Sequence, residues 1–330
     1  MPDISDAWVL GLRPAKNRVE PSRPYAFMVE KERSASGRIE DVATVFITNR
    51  ECPFRCVMCD LWKNTTDTTL PAGAVPEQIR WALERLPPAR HIKLYNSGNF
   101  FDPNAIRPSD YPAVAKLVAR FETVIVESHP RVIGRRCWEF RDMLSGDLCV
   151  AMGLETANAE VLARLNKRMS LADFERASAA LTQRHVSARA FILVRPPFMT
   201  EEEGLEWAKR SIDFAFDAGV ECCALIPTRG GNGAMEGLAK RGLFTPPSLE
   251  TLETAQAYGV SLARGRVFAD LWDIEKLSSC RHCAASRIDR LNRINMTQQV
   301  EAQIVCDRCA SGSANEPGRP VREKSGCTRA

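Results

Sequence analysis

The sequence predicts an α/β chain of parallel βα units, followed by a small C-terminal module that binds metal through four cysteines. Three observations carry this. Six apolar, mostly β-branched runs alternate with helical stretches between residues 42 and 226. Most of those runs are continuous in apolar residues, as strands buried on both faces are. Past residue 245 the alternation stops, and two Cys-x2-Cys pairs appear, Cys280/Cys283 and Cys306/Cys309, with 22 residues between them.

The first strand is Val42–Ile47, and Thr48-Asn49-Arg50 reads as its exit into a loop. Trp62 to Pro76 is polar and Thr-rich, a loop of the site. Pro76 suits a first helical turn, Ile79, Leu83 and Leu86 recur at helical spacing, and Pro87-Pro88 stops the helix. The second strand is His91–Asn96, and a helix follows from Pro112 to Phe121. Thr123–Ser128 is the third strand, Gly134–Leu144 a helix and Leu148–Leu154 the fourth strand. Helical stretches at Ala159–Leu165 and Leu171–Arg184 lead to the fifth strand, Ala188–Val194. Thr200 caps a helix that runs from Glu201 to Ala218 and ends at Gly219. The sixth strand is Glu221–Ile226, and Ser248–Ala263 is a last helix.

Composition bounds the class. The chain has 330 residues, 45% hydrophobic and 26% charged, enough for one large domain with an appendage. A net charge of +4 lacks the strongly basic stripe of a dedicated nucleic-acid binder. No apolar run approaches the roughly 18 residues of a membrane helix. The first residues carry neither a basic segment nor an apolar one, so no secretory leader is expected. Seven of the 12 cysteines fall in metal-ligand spacings, which points to a reducing cytoplasm more than to disulfides.

Glu51-Cys52-Pro53-Phe54-Arg55-Cys56-Val57-Met58-Cys59-Asp60 follows directly on the first strand. Three thiolates at C-x3-C-x2-C spacing on one tight loop can hold three corners of an iron–sulfur cluster. A four-iron cluster has a fourth corner, which would stay open to substrate or cofactor. A zinc site short of one ligand, or plain core thiols, are the bland alternatives.

This loop after a first strand resembles that of the radical S-adenosylmethionine (SAM) enzymes. The resemblance covers about residues 42 to 235. It implies an open, partial (β/α)6 TIM-type barrel whose chemistry sits at the C-terminal strand ends. It also implies a [4Fe-4S] cluster on Cys52, Cys56 and Cys59, with SAM on the open iron. An electron donor such as flavodoxin or ferredoxin would drive cleavage of SAM to a 5′-deoxyadenosyl radical, which abstracts hydrogen from substrate. Gly153-Leu154-Glu155-Thr156, Glu160-Val161-Leu162 and Asn166-Lys167-Arg168 resemble the Elongator-catalytic-subunit and tRNA methylthiotransferase branch. Cys52–Cys59 followed by Asp60-Leu61-Trp62, and Gly98–Pro103, look most like the archaeosine-biosynthesis radical SAM proteins, which act on a modified deazaguanine in tRNA.

The strand ends supply the expected SAM contacts. Ser97, Gly98 and Asn99 stand where the family often has Gly-Gly-Glu, so the carboxylate that meets the SAM amino group is missing. Glu127 or Ser128 is placed to meet the ribose or the methionine carboxylate, whereas His129 reads as a structural hydrogen-bonder. Glu155 at a barrel mouth implies use or pairing. Arg195 is expected to neutralise the SAM carboxylate. Pro227–Gly233 is glycine-rich and would let backbone approach adenine or substrate. Met58 replaces the usual aromatic that packs on adenine, and Trp62 is a substitute for that contact. Cys149, Cys222 and Cys223 read as core, Cys137 as helix packing and Cys327 as tail.

The C-terminal spacing suits a structural zinc ribbon, or an auxiliary iron–sulfur cluster. Arg287, Arg290 and Arg293 recur at helical spacing and read as a solvated face before an RNA contact. The expected division is an arm at 1–40, the core barrel at 41–245, a helix plus zinc-ribbon-like module at 246–310, and a disordered tail at 311–330. The expected function is a cytoplasmic radical SAM enzyme with no membrane partner, acting on a modified nucleoside in tRNA. Two rivals stand beside it. One is a radical SAM enzyme for a small molecule or peptide with an auxiliary cluster. The other is a non-enzymatic zinc-dependent nucleic-acid-binding protein.

Overall fold

A computed structural model describes residues 4–310, so the tail at 311–330 and Cys327 lie outside the described residues. Eight strands form one sheet in sequential order: β1 (Ala26–Arg33), β2 (Ile39–Phe46), β3 (His91–Tyr95), β4 (Thr123–Glu127), β5 (Asp147–Glu155), β6 (Ser187–Val194), β7 (Cys222–Pro227) and β8 (Arg266–Ala269). β1 pairs antiparallel with β2, and β2 to β8 run parallel. The helices are α1 (Asp6–Leu12), α2 (Ala74–Leu83), α3 (Tyr111–Val118), α4 (Arg135–Met143), α5 (Ala159–Arg164), α6 (Leu171–Thr182), α7 (Glu201–Asp217), α8 (Ala234–Ala239), α9 (Leu249–Ser261), α10 (Ala284–Thr297) and α11 (Asp307–Ala310). The sheet curls into the partial TIM-type barrel expected from the sequence.

The six expected parallel strands are present. Within the expected arm, β1 pairs over its whole length with β2. Past residue 245, β8 extends the same parallel sheet and α9 packs against α7 and β8.

Alternation sorts the strands' side chains. Val45, Leu94, Val126, Val150, Ile192, Leu225 and Val267 face the helices in one core with Ile79, Phe140, Phe174, Ile212, Leu252 and Leu291. Each such buried aliphatic or aromatic contributes about 1.5–3 kcal/mol. The opposite, concave face carries Lys93 and Tyr95, Ile125 and Glu127, Cys149 and Ala151, and Arg189 and Phe191 at alternating positions. On its lower part, Glu32 of β1 binds Arg189 of β6 and lies 2.7 Å from Lys93 of β3. Glu40 there meets His91 at 3.0 Å and Arg90 at 3.1 Å. These pairs tie the first strand across the barrel and fill its floor.

The free edge of β8 is covered by amide side chains of α10. The Asn295 amide accepts from Ala269 N at 2.8 Å and donates to Ala269 O at 2.9 Å. The Gln298 amide does the same for Val267, at 2.6 and 3.1 Å. These two side chains reproduce part of the ladder a ninth strand would make and cover the β8 edge against another chain. At the floor, Arg266 donates to the carbonyl of Arg33 at 3.2 Å and Arg33 to that of Met296 at 3.3 Å, so β1 and α10 meet.

Helix starts follow the sequence. Thr200 and Glu203 form a reciprocal capping box on α7, as Ser170 and Asp173 do on α6. Gly219 takes φ 85°, the left-handed conformation expected after α7.

Candidate active site

The cysteine loop leaves β2 at the C-terminal, upper end of the barrel. Its entrance is fixed by α2, where buried Gln78 accepts from Thr48 N and donates to Thr48 O, both at 2.8 Å. The loop itself is stapled by side-chain amides. Asn232 donates to Val57 O at 2.7 Å and Cys59 O at 3.0 Å, and Asn166 donates to Arg55 O at 2.8 Å. Trp62 donates to Cys59 O at 3.1 Å. Glu51, before the first cysteine, pairs with Arg13 at 2.6 Å, Lys16 at 2.9 Å and Arg55 at 3.2 Å. The loop is thus held by the chain's own side chains, with Val9 of α1 packed on Val57, Met235 and Leu238.

Burial pushes the thiols of Cys52, Cys56 and Cys59 up to about 12 each, and each thiol feels one of the other two. Buried neutral thiols become ligands only when a cation replaces their protons. A fixed cation beside the thiols is Lys167, whose ammonium acts on both Cys52 and Cys56 and is held by Glu155 in a buried ion pair. Burial pulls the Lys167 ammonium down, but Glu155 and the cysteines outweigh it and hold it above its ordinary value. Gly153 makes room for this pair: a Cβ there would overlap Glu155 Oε1 and Lys167 Nζ.

Around the loop, the ends of β2, β3 and β4 carry polar atoms that are buried and without a partner: Thr48 Oγ1, Asn49 Oδ1, both amide atoms of Asn96, and Ser128 Oγ. Such groups are costly to leave unpaired, and although others lie elsewhere in the fold, at Ser178 and Gln256 for example, these five atoms gather on adjacent strand ends. Three cysteines on a loop so held, beside such atoms, fit a cluster with an open corner and a polar cofactor.

The structure brings most of the expected contacts to this mouth. Gly98 lies against Cys52, so that a Cβ there would sit 3.4 Å from the cysteine's own Cβ. Asn99 Nδ2 donates to Cys52 Sγ at 3.1 Å and its Oδ1 accepts from His129 N at 2.6 Å. Ser97 Oγ is engaged by Tyr25 at 3.0 Å. Glu127 accepts from Asn96 N at 2.7 Å, with the N–H groups of Ser97 and Gly98 also on its carboxylate; burial nevertheless raises it to about 7. Ser128 Oγ is one of the orphans. Met58 packs between two apolar groups at the mouth, one on Val57 and Met235, the other on Leu165 and Leu193.

Three of the expected groups are engaged by the protein itself. Arg195 pairs with Glu201 and donates to Pro246 O at 2.9 Å, on the helix side of the sheet. The cause is local: Arg195 has φ 54°, and Gly204 of α7 presses against its side chain. Trp62 is buried, with the Arg13 guanidinium 4.6 Å over its ring, so its face is not open to adenine. The glycine-rich loop after β7 serves the cysteine loop through Asn232, and its Gly233, at φ 87°, abuts Leu12.

His129 is structural. Its Nε2 donates to Lys167 O at 2.9 Å, its Nδ1 accepts from Arg131 N at 3.2 Å, and its ring stacks on Phe54 at 3.9 Å. Sequence reasoning missed Gln78, Asn166, Lys167 and Asn232 as site residues. Only the Asn166-Lys167-Arg168 run, already notable by resemblance, offered a signal.

The four C-terminal cysteines converge. Cys280 Sγ lies 4.0 Å from Cys306 Sγ and Cys283 Sγ lies 3.7 Å from Cys309 Sγ. All four sulfurs lie within 4.8 Å of one another. Main-chain N–H groups of Cys283 and His282 hold Cys280 down to about 6. The pairs sit at the start of α10 and on α11, with no strand between 270 and 310 among the described residues, so this is not a ribbon of hairpins. The arginine row of α10 is tied to the protein at each position, and only Arg293 is exposed as a solvated face would have it. Arg290 is fully buried, on the carbonyls of Glu301 and Ala302 and near Glu253, while Arg287 binds Glu253 and Arg293 binds Glu301.

No family model matches the chain. It is similar to the uncharacterized protein MJ0550 of Methanocaldococcus jannaschii, 20% identical over 88% of this chain and 86% of that protein. It is 25% identical to archaeosine synthase subunit beta of Thermococcus kodakarensis, over 48% of this chain and 51% of that one. The chain thus spans about half the length of that subunit. Among solved structures, Elp3 of Methanocaldococcus infernus matches with a TM-score of 0.50 and 15% identity, over 70% of this chain and 60% of that one. The radical SAM enzyme coproporphyrinogen III oxidase of Escherichia coli follows at a TM-score of 0.45 and 13% identity, over 78% and 55%. The resemblance to radical SAM proteins drawn from the cysteine loop is borne out at the level of the fold.

Proposed function

We propose that this chain is a radical SAM enzyme whose substrate is a modified nucleoside in tRNA. One observation carries the reading: a three-cysteine loop held by the chain's own side chains lies at the upper end of the barrel beside orphaned polar groups on three adjacent strand ends. Cys52, Cys56 and Cys59 would hold a [4Fe-4S] cluster, which supplies an electron to cleave SAM to a 5′-deoxyadenosyl radical. The chain's own residues prepare the site. Gln78, Asn166 and Asn232 fix the loop, Glu127 fixes the Asn96–Gly98 turn, and Lys167 and Glu155 set the charge beside the thiols. Ser128 and Asn96 offer unused hydrogen bonds to a polar cofactor. A small reductase such as flavodoxin or ferredoxin would deliver the electron. The tRNA reading is supported by the similarity to archaeosine synthase subunit beta.

The C-terminal cysteines would hold one zinc ion. A tetrahedral Zn–S4 site with bonds of about 2.3 Å has sulfur edges of about 3.8 Å. The closest pairs, at 3.7 and 4.0 Å, fit that edge. Thiolates on separate irons of a cubane would stand farther apart.

The test is anaerobic. Iron and sulfide are reconstituted, dithionite and SAM are added, and metals and 5′-deoxyadenosine are measured. About four irons, one zinc and 5′-deoxyadenosine that disappears in Cys56→Ala are the expected result. About eight irons would favour the auxiliary-cluster rival, and zinc without iron would overturn the enzyme.

A further inference from the structure

Asn99 occupies the position where a carboxylate would be expected, and the protein engages both ends of its amide. The orientation of that amide is fixed by its partners. His129 N is a backbone donor, so the Asn99 atom facing it at 2.6 Å must be the oxygen. The atom facing Cys52 Sγ at 3.1 Å is then the NH2 group, and it can only donate. His129 is itself immobilised by its two ring hydrogen bonds and by stacking on Phe54. Asn99 is 1% exposed, so water does not compete for either bond. Cys56 and Cys59, by contrast, receive only main-chain N–H groups.

From this geometry we infer that Asn99 is a positioning residue whose N–H on the Cys52 sulfur raises the reduction potential of the cluster held by the three cysteines. The inference rests on the cluster reading proposed above. A donor on a thiolate sulfur withdraws electron density from the iron–sulfur bond and eases the extra electron of the reduced state. The same amide joins the turn after β3 to the turn after β4, so the donor stays in register with the loop. An Asn here therefore trades a possible SAM contact for control of the electron.

The experiment compares the reconstituted full chain with Asn99→Ala and Asn99→Asp, without SAM, by potentiometric titration with the reduced cluster read by electron paramagnetic resonance. Asn99→Asp keeps the acceptor for His129 N and replaces the donor by a carboxylate. Both variants are expected to retain four irons yet show a reduction equilibrium lower by about tenfold or more, about 59 mV for one electron. The shift is expected to be larger for Asn99→Asp. A wild-type potential in either iron-loaded variant would overturn the inference and leave the cluster reading standing. Should both variants fail to load, wild-type chain labelled with 15N in the asparagine side-chain amide decides. Hyperfine coupling of that nitrogen to the reduced cluster supports the inference, and its absence overturns it. A wild-type chain that binds no iron at all overturns both.

Discussion

The floor and the mouth of this barrel are both buried and both polar, but they are satisfied differently. On the floor, Glu32 is matched by Arg189 and Lys93, and Glu40 by His91, Arg38 and Arg90. At the mouth, Thr48, Asn49, Asn96 and Ser128 are buried with polar atoms that have no partner. The floor's charges are paired within the protein, although His91 Nδ1 and Arg189 Nε have no partner there. The mouth instead gathers neutral hydroxyl and amide groups without partners on adjacent strand ends, the kind of group a polar cofactor would engage.

The largest effect should come from breaking the floor. Arg189→Met would remove one of the two cations that neutralise buried Glu32, leaving it with Lys93 alone, and is expected to cost about 3–5 kcal/mol, read as a lower urea midpoint. Adding Glu32→Gln should recover part of that loss. If Arg189→Met unfolds like the wild type, the floor is not a stability device.

The two regions should also respond oppositely to pH. Glu40 is held down to about 2, with a contact to Ser34 and its His91 pair as leading causes. Its stabilisation is therefore present above the ordinary carboxylate value of 4.5 and is lost as pH falls toward 2. Glu127 is raised to about 7 by burial. Its stabilisation is present below 4.5 and lost as pH rises through 7. Glu127→Gln should remove a loss of roughly 2–3 kcal/mol between pH 4.5 and 7. Urea midpoints at pH 5 and 7.5 measure it, and an unchanged pH profile in the variant would refute the assignment.

The smallest effect on stability should be at the mouth. Ser128→Ala removes a hydroxyl that has no partner, so the unfolding free energy should change by less than about 0.5 kcal/mol. The same change should weaken SAM binding measurably by equilibrium dialysis. A loss of stability above about 1 kcal/mol would mean the hydroxyl has a structural bond after all.

Much of this was legible in the sequence because the relevant forces are local. Continuous apolar runs reported the parallel strands, Thr200 and Glu203 announced a helix start, and cysteine spacing announced the convergence of the four C-terminal cysteines. β1 escaped notice because Glu30-Lys31-Glu32-Arg33 reads as solvent-exposed, whereas its carboxylates meet Lys93 and Arg189 across the barrel. β8 escaped because four residues carry too little periodicity. Arg195 sits at a strand end as expected, but a single positive φ turns it to the helix layer. The role of Asn99 depends on two partners at sequence separations of 47 and 30, which no local pattern encodes.

The amides of Asn295 and Gln298 that stand in for a ninth strand have a consequence for biogenesis. They lie near the far end of the described chain, while β1, which meets α10 at the barrel floor, lies near its beginning. During synthesis the parallel strands can pair one after another as they emerge. The seam between first and last elements must wait for the residues around 298 to clear the ribosome. Until then β8 presents an open ladder, so a chain stopped between 270 and 290 should be more prone to aggregate than the full-length one. Sedimentation of the two nascent products would reveal it. Helix α10 and the residue after it thus act as the fastener of a sheet whose pattern was set more than a hundred residues earlier.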